Sequence, residues 1–336
     1  MIQHVMEKSS ASRESLGKIN RSPHPTEKWG RITLVFLLGV IVWGGFVRAS
    51  GSGAGCGSHW PLCNGQVIPI APNSKTLVEF AHRLTSGASL ILCGILLASA
   101  FRHFSRRSWT RRAALISFIF ILLEALLGAG LVLLELVAEN KSLLRTVSLG
   151  IHLLNTFLLL GAIALTVRWA RQESRAQVRL RWGGTLFQAI YSLALVLGIL
   201  LLGASGAMTA LGDTLFPAQT LTQGIQSDFS HTSHFLIQLR ILHPFFAVLI
   251  SALGIFGLAQ FRKLPLPNRA EISFFCTITA GLLIAQLLLG LLNVLLLAPV
   301  GIQLAHLLLA DLIWIFLILS LASVWTEASP ISRSPF

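Results

Sequence analysis

Residues 77–101 read LVEFAHRLTSGASLILCGILLASAF, with Glu79, His82 and Arg83 in the opening turns followed by an uncharged run, 84–101, that stops at Arg102. A run of this kind crosses a bilayer, since about 20 apolar residues in a helix match the hydrocarbon thickness. Seven further stretches share its character, roughly 30–48, 112–134, 145–168, 183–205, 235–261, 272–298 and 300–325. With 54% hydrophobic and 12% charged residues, the chain is far from the composition of a soluble globular domain. The expectation is an all-α integral membrane protein of eight transmembrane helices.

The net charge of +13 does not indicate nucleic acid, because the cations gather in alternate connections. Lys8, Arg13, Lys18, Arg21, Lys28 and Arg31 precede the first span. Arg102, Arg106, Arg107, Arg111 and Arg112 follow the second, Arg168, Arg171, Arg175, Arg179 and Arg181 the fourth, and Arg262, Lys263 and Arg269 the sixth. The positive-inside rule makes these segments and both termini cytoplasmic. The other connections, with Glu135, Glu139, Asp213 and Asp228, lie outside. The inner plasma membrane is the expected location. The basic residues before the first span also admit a mitochondrial presequence, which Glu7, Glu14 and Glu27 argue against.

Four histidines, His82, His152, His243 and His306, each stand near the same end of a separate span. His82 precedes Arg102 by 20 residues and His152 precedes Arg168 by 16, about 30 Å and 24 Å at 1.5 Å per residue, so both approach the outer surface. A single histidine at that depth is usually an interfacial hydrogen-bonding residue. Four of them, two per half, point to haem held by paired imidazoles, with proton relay or packing as the alternatives.

The halves can be laid over each other. Ser50-Gly51 matches Ser205-Gly206, Glu124-Ala-Leu-Leu-Gly128 matches Gln286-Leu-Leu-Leu-Gly290, and His152-Leu-Leu matches His306-Leu-Leu. Two repeated four-helix bundles in one orientation are expected. The organisation reads as a disordered cytoplasmic tail (1–28), a first bundle (29–170), a second bundle (171–327) and a short disordered tail (328–336).

Cys93 and Cys276 sit within spans as small buried groups. Cys56 and Cys63 flank CGSHWPLC in the first outer loop, in a compartment that permits oxidation. A disulfide is expected there, with free thiols as the alternative. Glu79 lies one helical turn from His82, and a solvated acid favoured by the helix dipole is the plain reading of that spacing. Glu124 lies inside span three, where a charge costs about 2.5–3.5 kcal/mol on insertion scales; hydrogen bonding and a proton path are both open for it. Asn155 and Asp311 fall within a turn or two of His152 and His306 and are placed to orient them. Arg48, Arg83 and Arg240 lie near the outer ends of the bundles, positioned for a haem propionate or for phospholipid.

The run GGFVRASGSGAGCGSHWPLCNGQVIP (residues 44–69) with EFAHR (79–83) resembles the haem A synthase family, over about residues 30–325. The resemblance implies conversion of the ring methyl of haem O to the formyl group of haem A through hydroxylated intermediates. By it, His82 and His152 face the substrate haem, His243 and His306 ligate a haem b cofactor, and Glu79 gains a catalytic role. Implied partners are haem O and haem A, membrane lipid, a haem O-producing farnesyltransferase and an electron-transfer partner; self-association stays open. The second outer loop, about 207–234, lacks the cysteine pair that some relatives carry. The rival readings are a b-type electron-transfer cytochrome, since two imidazoles fill both axial positions of an iron, and a haem transporter.

Overall fold

The structure is a computed structural model that describes residues 22–180 and 185–329. Most of the expected N-terminal tail, Arg181, and residues 330–336 lie outside the described residues. Among the described residues, eight helical segments are long and apolar enough to cross a membrane. They are α1 (Pro25–Ala49), α2 (Ser74–His103), α3 (Trp109–Leu133), α4 (Leu143–Glu173), α5 (Leu186–Leu215), the pair α7 (Phe235–Arg240) and α8 (Leu242–Phe261), α9 (Arg269–Leu295) and α10 (Val300–Trp325). A short helix, α6 (Leu221–Phe229), lies between α5 and α7. Large apolar side chains such as Leu84, Ile91, Leu126 and Leu201 point outward, as a lipid solvent requires.

Local chemistry fixes the helix ends. The Asn73, Ser108, Ser142 and Thr185 side chains accept the N–H of the third residue on, each capping a helix start. Glu173, at the end of α4, takes the Trp109 and Thr110 amides and the Thr110 hydroxyl, a carboxylate on the N-terminus of α3. The sixth span is broken at Ile241 because Pro244 has no N–H and its ring collides with the carbonyl four residues back, at Arg240.

Spans four and eight form the centre of the molecule: 61% and 50% of their apolar windows are buried, against 17–28% for the other six. Phe157 of α4 stacks on Trp314 of α10 at 5.5 Å, and the Trp314 indole N–H donates to the Phe157 carbonyl. Gly161 lets that indole approach, since a Cβ there would stand 3.1 Å from its nitrogen. Arg48 ties α1 across to the other half, donating to the Ala210 carbonyl, the Thr214 hydroxyl and Gln303.

Several boundaries differ from expectation. The first helix starts at Pro25, inside the expected tail, with His24 accepting the Thr26 amide. The fifth span runs ten residues further, to Leu215. The all-α reading holds for the spans, and a two-stranded antiparallel ladder is added, β1 (Gln177–Leu180) with β2 (Thr326–Ser329). Gln177-Val178-Arg179-Leu180 alternates polar and apolar residues, but over only four positions beside a charged connection, and its partner Thr326–Ser329 does not alternate, so the pair was not read from the sequence. The ladder takes in Ala328 and Ser329 from the expected C-terminal tail. It also joins the ends of α4 and α10, so these two spans finish on one side and their histidines, early in each helix, lie toward the other.

Candidate functional site

Each of the four histidines faces a glycine on the preceding span. A Cβ built at Gly44 would lie 2.9 Å from His82 Cε1, at Gly128 3.9 Å from His152, at Gly206 3.0 Å from His243 and at Gly290 3.1 Å from His306. At Gly44, Gly206 and Gly290 the missing Cβ lets backbone approach imidazole directly. The pattern also corrects the expected register at the first span. Gly44, not Gly51, occupies the place that Gly206 holds in the second half, whereas Gly51 sits in the turn after α1 with φ +63°. The Ser-Gly match was a coincidence of composition, two helical turns out.

The rings fall in two pairs, of which the second is in direct ring contact. His243 and His306 have ring centres 6.4 Å apart, and His82 lies within the electrostatic reach of His152. A metal–imidazole bond is about 2 Å, so two rings gripping one iron from opposite faces have centres about 6 Å apart. The second pair has that spacing. His243 Nδ1 is hydrogen-bonded to Ser205 Oγ at 2.9 Å, which directs its Nε2 to the opposite side. The Nδ1 atoms of His82, His152 and His306 are buried without a hydrogen-bond partner, with Glu124 Oε1 3.5 Å from that of His152, so no protein hydrogen bond commits these rings to another role. Among the described residues no cluster of three or more His, Cys, Asp or Glu side chains is placed for a bare metal ion. The donors suit an iron that brings its own four equatorial nitrogens.

The first connecting loop is fastened to the helix that carries His82. Cys56 and Cys63 are joined in a disulfide and both are buried. Glu79 is buried too, 3% exposed, which overturns the plain reading of a solvated acid. Its Oε2 accepts the Cys56 amide at 2.8 Å, and its Oε1 pairs with Arg83 at 2.6 Å. Arg83 donates onward to the His59 and Leu62 carbonyls, and the Thr76 hydroxyl to that of Gly55. A side chain at Gly55 would collide with the backbone of Lys75 and Thr76. The EFAHR segment and the cysteine loop are therefore one unit: Glu79 and Arg83 hold the loop over the turn that presents His82.

The second half achieves the same without cysteines. Arg240 stands three residues before His243, as Glu79 stands three before His82. It pairs with Asp213 at 3.2 Å and Asp228 at 2.7 Å and donates to the Phe216 carbonyl. Packing and these ion pairs order the second loop. All three candidate propionate arginines thus have protein partners: Arg48 across the halves, Arg83 in the first loop, Arg240 in the second.

Sequence reasoning placed Asn155 and Asp311 as orienting groups for the neighbouring histidines. Asn155 instead donates to Glu124 Oε2 and the Phe120 carbonyl. Asp311 is fully buried with no hydrogen-bond partner on either oxygen. Two roles escaped the sequence reading, that of Ser205 beside His243 and that of Thr156 beside Glu124; a hydroxyl in a span carries no signal until its neighbour is known.

These features define a multi-pass helical membrane protein with two histidine pairs fit for haem, one beneath a disulfide loop and one beneath a salt-bridged loop. The chain matches the family described as Cytochrome oxidase assembly protein, COX15-CtaA, over residues 27–318. It belongs to that family, the family of haem A synthases. It is 42% identical over 303 residues to a Thermus thermophilus protein named Protoheme IX farnesyltransferase, covering 87% of this chain and 48% of that one. It is also 41% identical over 106 residues to Heme A synthases of Bacillus mycoides and Bacillus cereus, covering 31% of this chain and 34% of each. The chain thus spans about half the length of the Thermus relative and a third of the Bacillus ones.

Proposed function

We propose that this chain is a haem A synthase, oxidising the ring methyl of haem O to the formyl group of haem A through hydroxylated intermediates. The observation that carries the reading is the difference between two otherwise matching sites. Three residues before the ligand histidine the first half has Glu79 and the second Arg240. Opposite the other histidine the first half has Glu124 and the second Gln286. Acids gathered about one pair suit a reaction that releases protons and develops positive charge. The second pair has no acid at either of these two positions, its Arg240 being held by Asp213 and Asp228, which suits a haem that only passes electrons. In this reading the halves are two repeated bundles, 29–170 and 171–327. His82 and His152 hold haem O, and His243 and His306 hold haem b, which when bound supplies one-electron transfer.

What the chain's own groups do follows from their contacts. The disulfide loop, pinned by Glu79 and Arg83, covers the first pair and excludes water from it. Glu79 keeps a carboxylate on the same helical face as His82, where it takes up a proton as the methyl group is oxidised. Gly44 leaves the His82 imidazole in close contact with backbone and so limits its position. The protein lies in the plasma membrane with the histidine end outward, by the placement of its cations.

The Thermus relative's name favours a neighbouring step. We take this chain to correspond to the part of that longer protein that is not the farnesyltransferase, so that the enzyme making haem O is its partner in supply. Expression of the chain in a haem O-producing host, with chromatography of extracted haems, tests the reading. Haem A in the extract supports it. Haem b spectra without formylated product return the chain to the electron carriers, and haem O formed from protohaem and farnesyl diphosphate by the purified chain makes it a transferase. Glu79→Gln keeps an acceptor for the Cys56 amide but loses the charge; it should retain haem and stop at the alcohol. Normal haem A yield from that variant removes the catalytic role.

A further inference from the structure

Glu124 is a half-buried acid to which the reaction above gives no step of its own. It lies on α3 with Oε1 3.5 Å from His152 Nδ1. Two other donors hold it in place: the Asn155 amide reaches Oε2 at 2.5 Å and the Thr156 hydroxyl reaches Oε1 at 2.5 Å. Both come from α4, the helix that carries His152, within about one turn of it. The carboxylate is thus surrounded by donors, and His152 Nδ1, buried and otherwise without a hydrogen bond, is the next nitrogen in reach. In the second half the matching residue is neutral: Gln286 turns its amide N–H to the His306 carbonyl at 3.1 Å, and its oxygen is buried without a partner.

We propose that Glu124 is a positioning residue that accepts the Nδ1–H of His152 when His152 binds iron, making the first site electron-rich while the second stays neutral. An imidazole that donates to a carboxylate is a stronger base through its other nitrogen and favours the ferric over the ferrous ion. The two haems therefore differ in potential through one acid-to-amide exchange between the repeats. The first haem is held oxidised, ready to have electrons drawn from its substituent, and the second is the easier to reduce. The inference rests on the proposed assignment of His152 as a ligand.

Redox titration of the haem-loaded, full-length protein in detergent, followed by visible and electron paramagnetic resonance spectra, tests it. Glu124→Gln should shift the ferric/ferrous equilibrium of one haem toward ferrous by about tenfold, about 59 mV for a one-electron couple, and leave the other unmoved. Thr156→Val, which frees Oε1 from its competing donor, should shift the same haem the opposite way. This second variant keeps the acid and settles the matter if Glu124→Gln does not fold. Two unmoved potentials in either folded variant, or equal shifts of both haems, overturn the inference while leaving the haem A synthase reading intact. A wild-type protein that binds no haem removes both. A change in product yield with no change in potential assigns Glu124 to proton handling instead and also overturns the inference.

Discussion

Replacing Gly44 by alanine would set a methyl group 2.9 Å from His82 Cε1 and 3.2 Å from Nε2, where a comfortable contact needs about 3.5 Å or more. The ring must yield by roughly half an ångström. Without haem it can, because it is the end of a side chain with two rotatable bonds. Once iron holds the ring, the displacement falls on the metal–nitrogen bond or on α1. Overpacking of this kind costs about 1–3 kcal/mol, and at about 1.4 kcal/mol per tenfold haem should bind the first pair roughly 5- to 150-fold more weakly. Helix propensity works in the other direction, since alanine favours a helix over glycine by about 1 kcal/mol. A weaker site therefore cannot be blamed on a weaker helix. Gly128→Ala is the internal control, because its methyl would lie an ordinary 3.9 Å from His152, and less than about threefold change is expected. Haem titration into depleted protein, read by the Soret band and by haem per polypeptide, measures both. Equal losses in the two variants, or wild-type affinity in Gly44→Ala, would refute the argument from close approach.

The second pair should follow the same rule: Gly206→Ala and Gly290→Ala, at 3.0 and 3.1 Å, should each lower occupancy of one haem, seen as loss of about half the pyridine haemochrome signal. Ser205→Ala removes the partner of His243 Nδ1 and should weaken that haem about tenfold; a binding isotherm that does not move speaks against His243 as a ligand. Cys56→Ser opens the loop tie and should cost about 2–4 kcal/mol in thermal melts, with Glu79 becoming accessible to solvent; an unchanged melting temperature and full haem A yield would make the loop dispensable. Arg240→Ala leaves Asp213 and Asp228 without their shared cation and should destabilise the second loop by about 3–5 kcal/mol, detected as new proteolytic cleavage between residues 216 and 234, and protease resistance equal to wild type would deny the clamp.

The amino-acid sequence by itself determined the solvent, the number of spans and the four histidines, because hydropathy and helical rise act along the chain and are legible residue by residue. The cysteine loop was legible too, since its two thiols lie only seven residues apart. What it could not carry were the partners that meet across the chain. Gly44 and Gly51 look equally good until one of them is seen against His82, and Glu79 reads as a solvated acid until the loop folds onto it. Arg240 is one more interfacial cation until Asp213 and Asp228 close on it. The tertiary structure decided these because each depends on which faces of two helices turn toward each other. The apolar pattern of a membrane span leaves that rotation nearly free, since lipid and neighbouring helix are almost the same solvent to a leucine. Packing glycine against imidazole, acid against amide and arginine against acid fixes it.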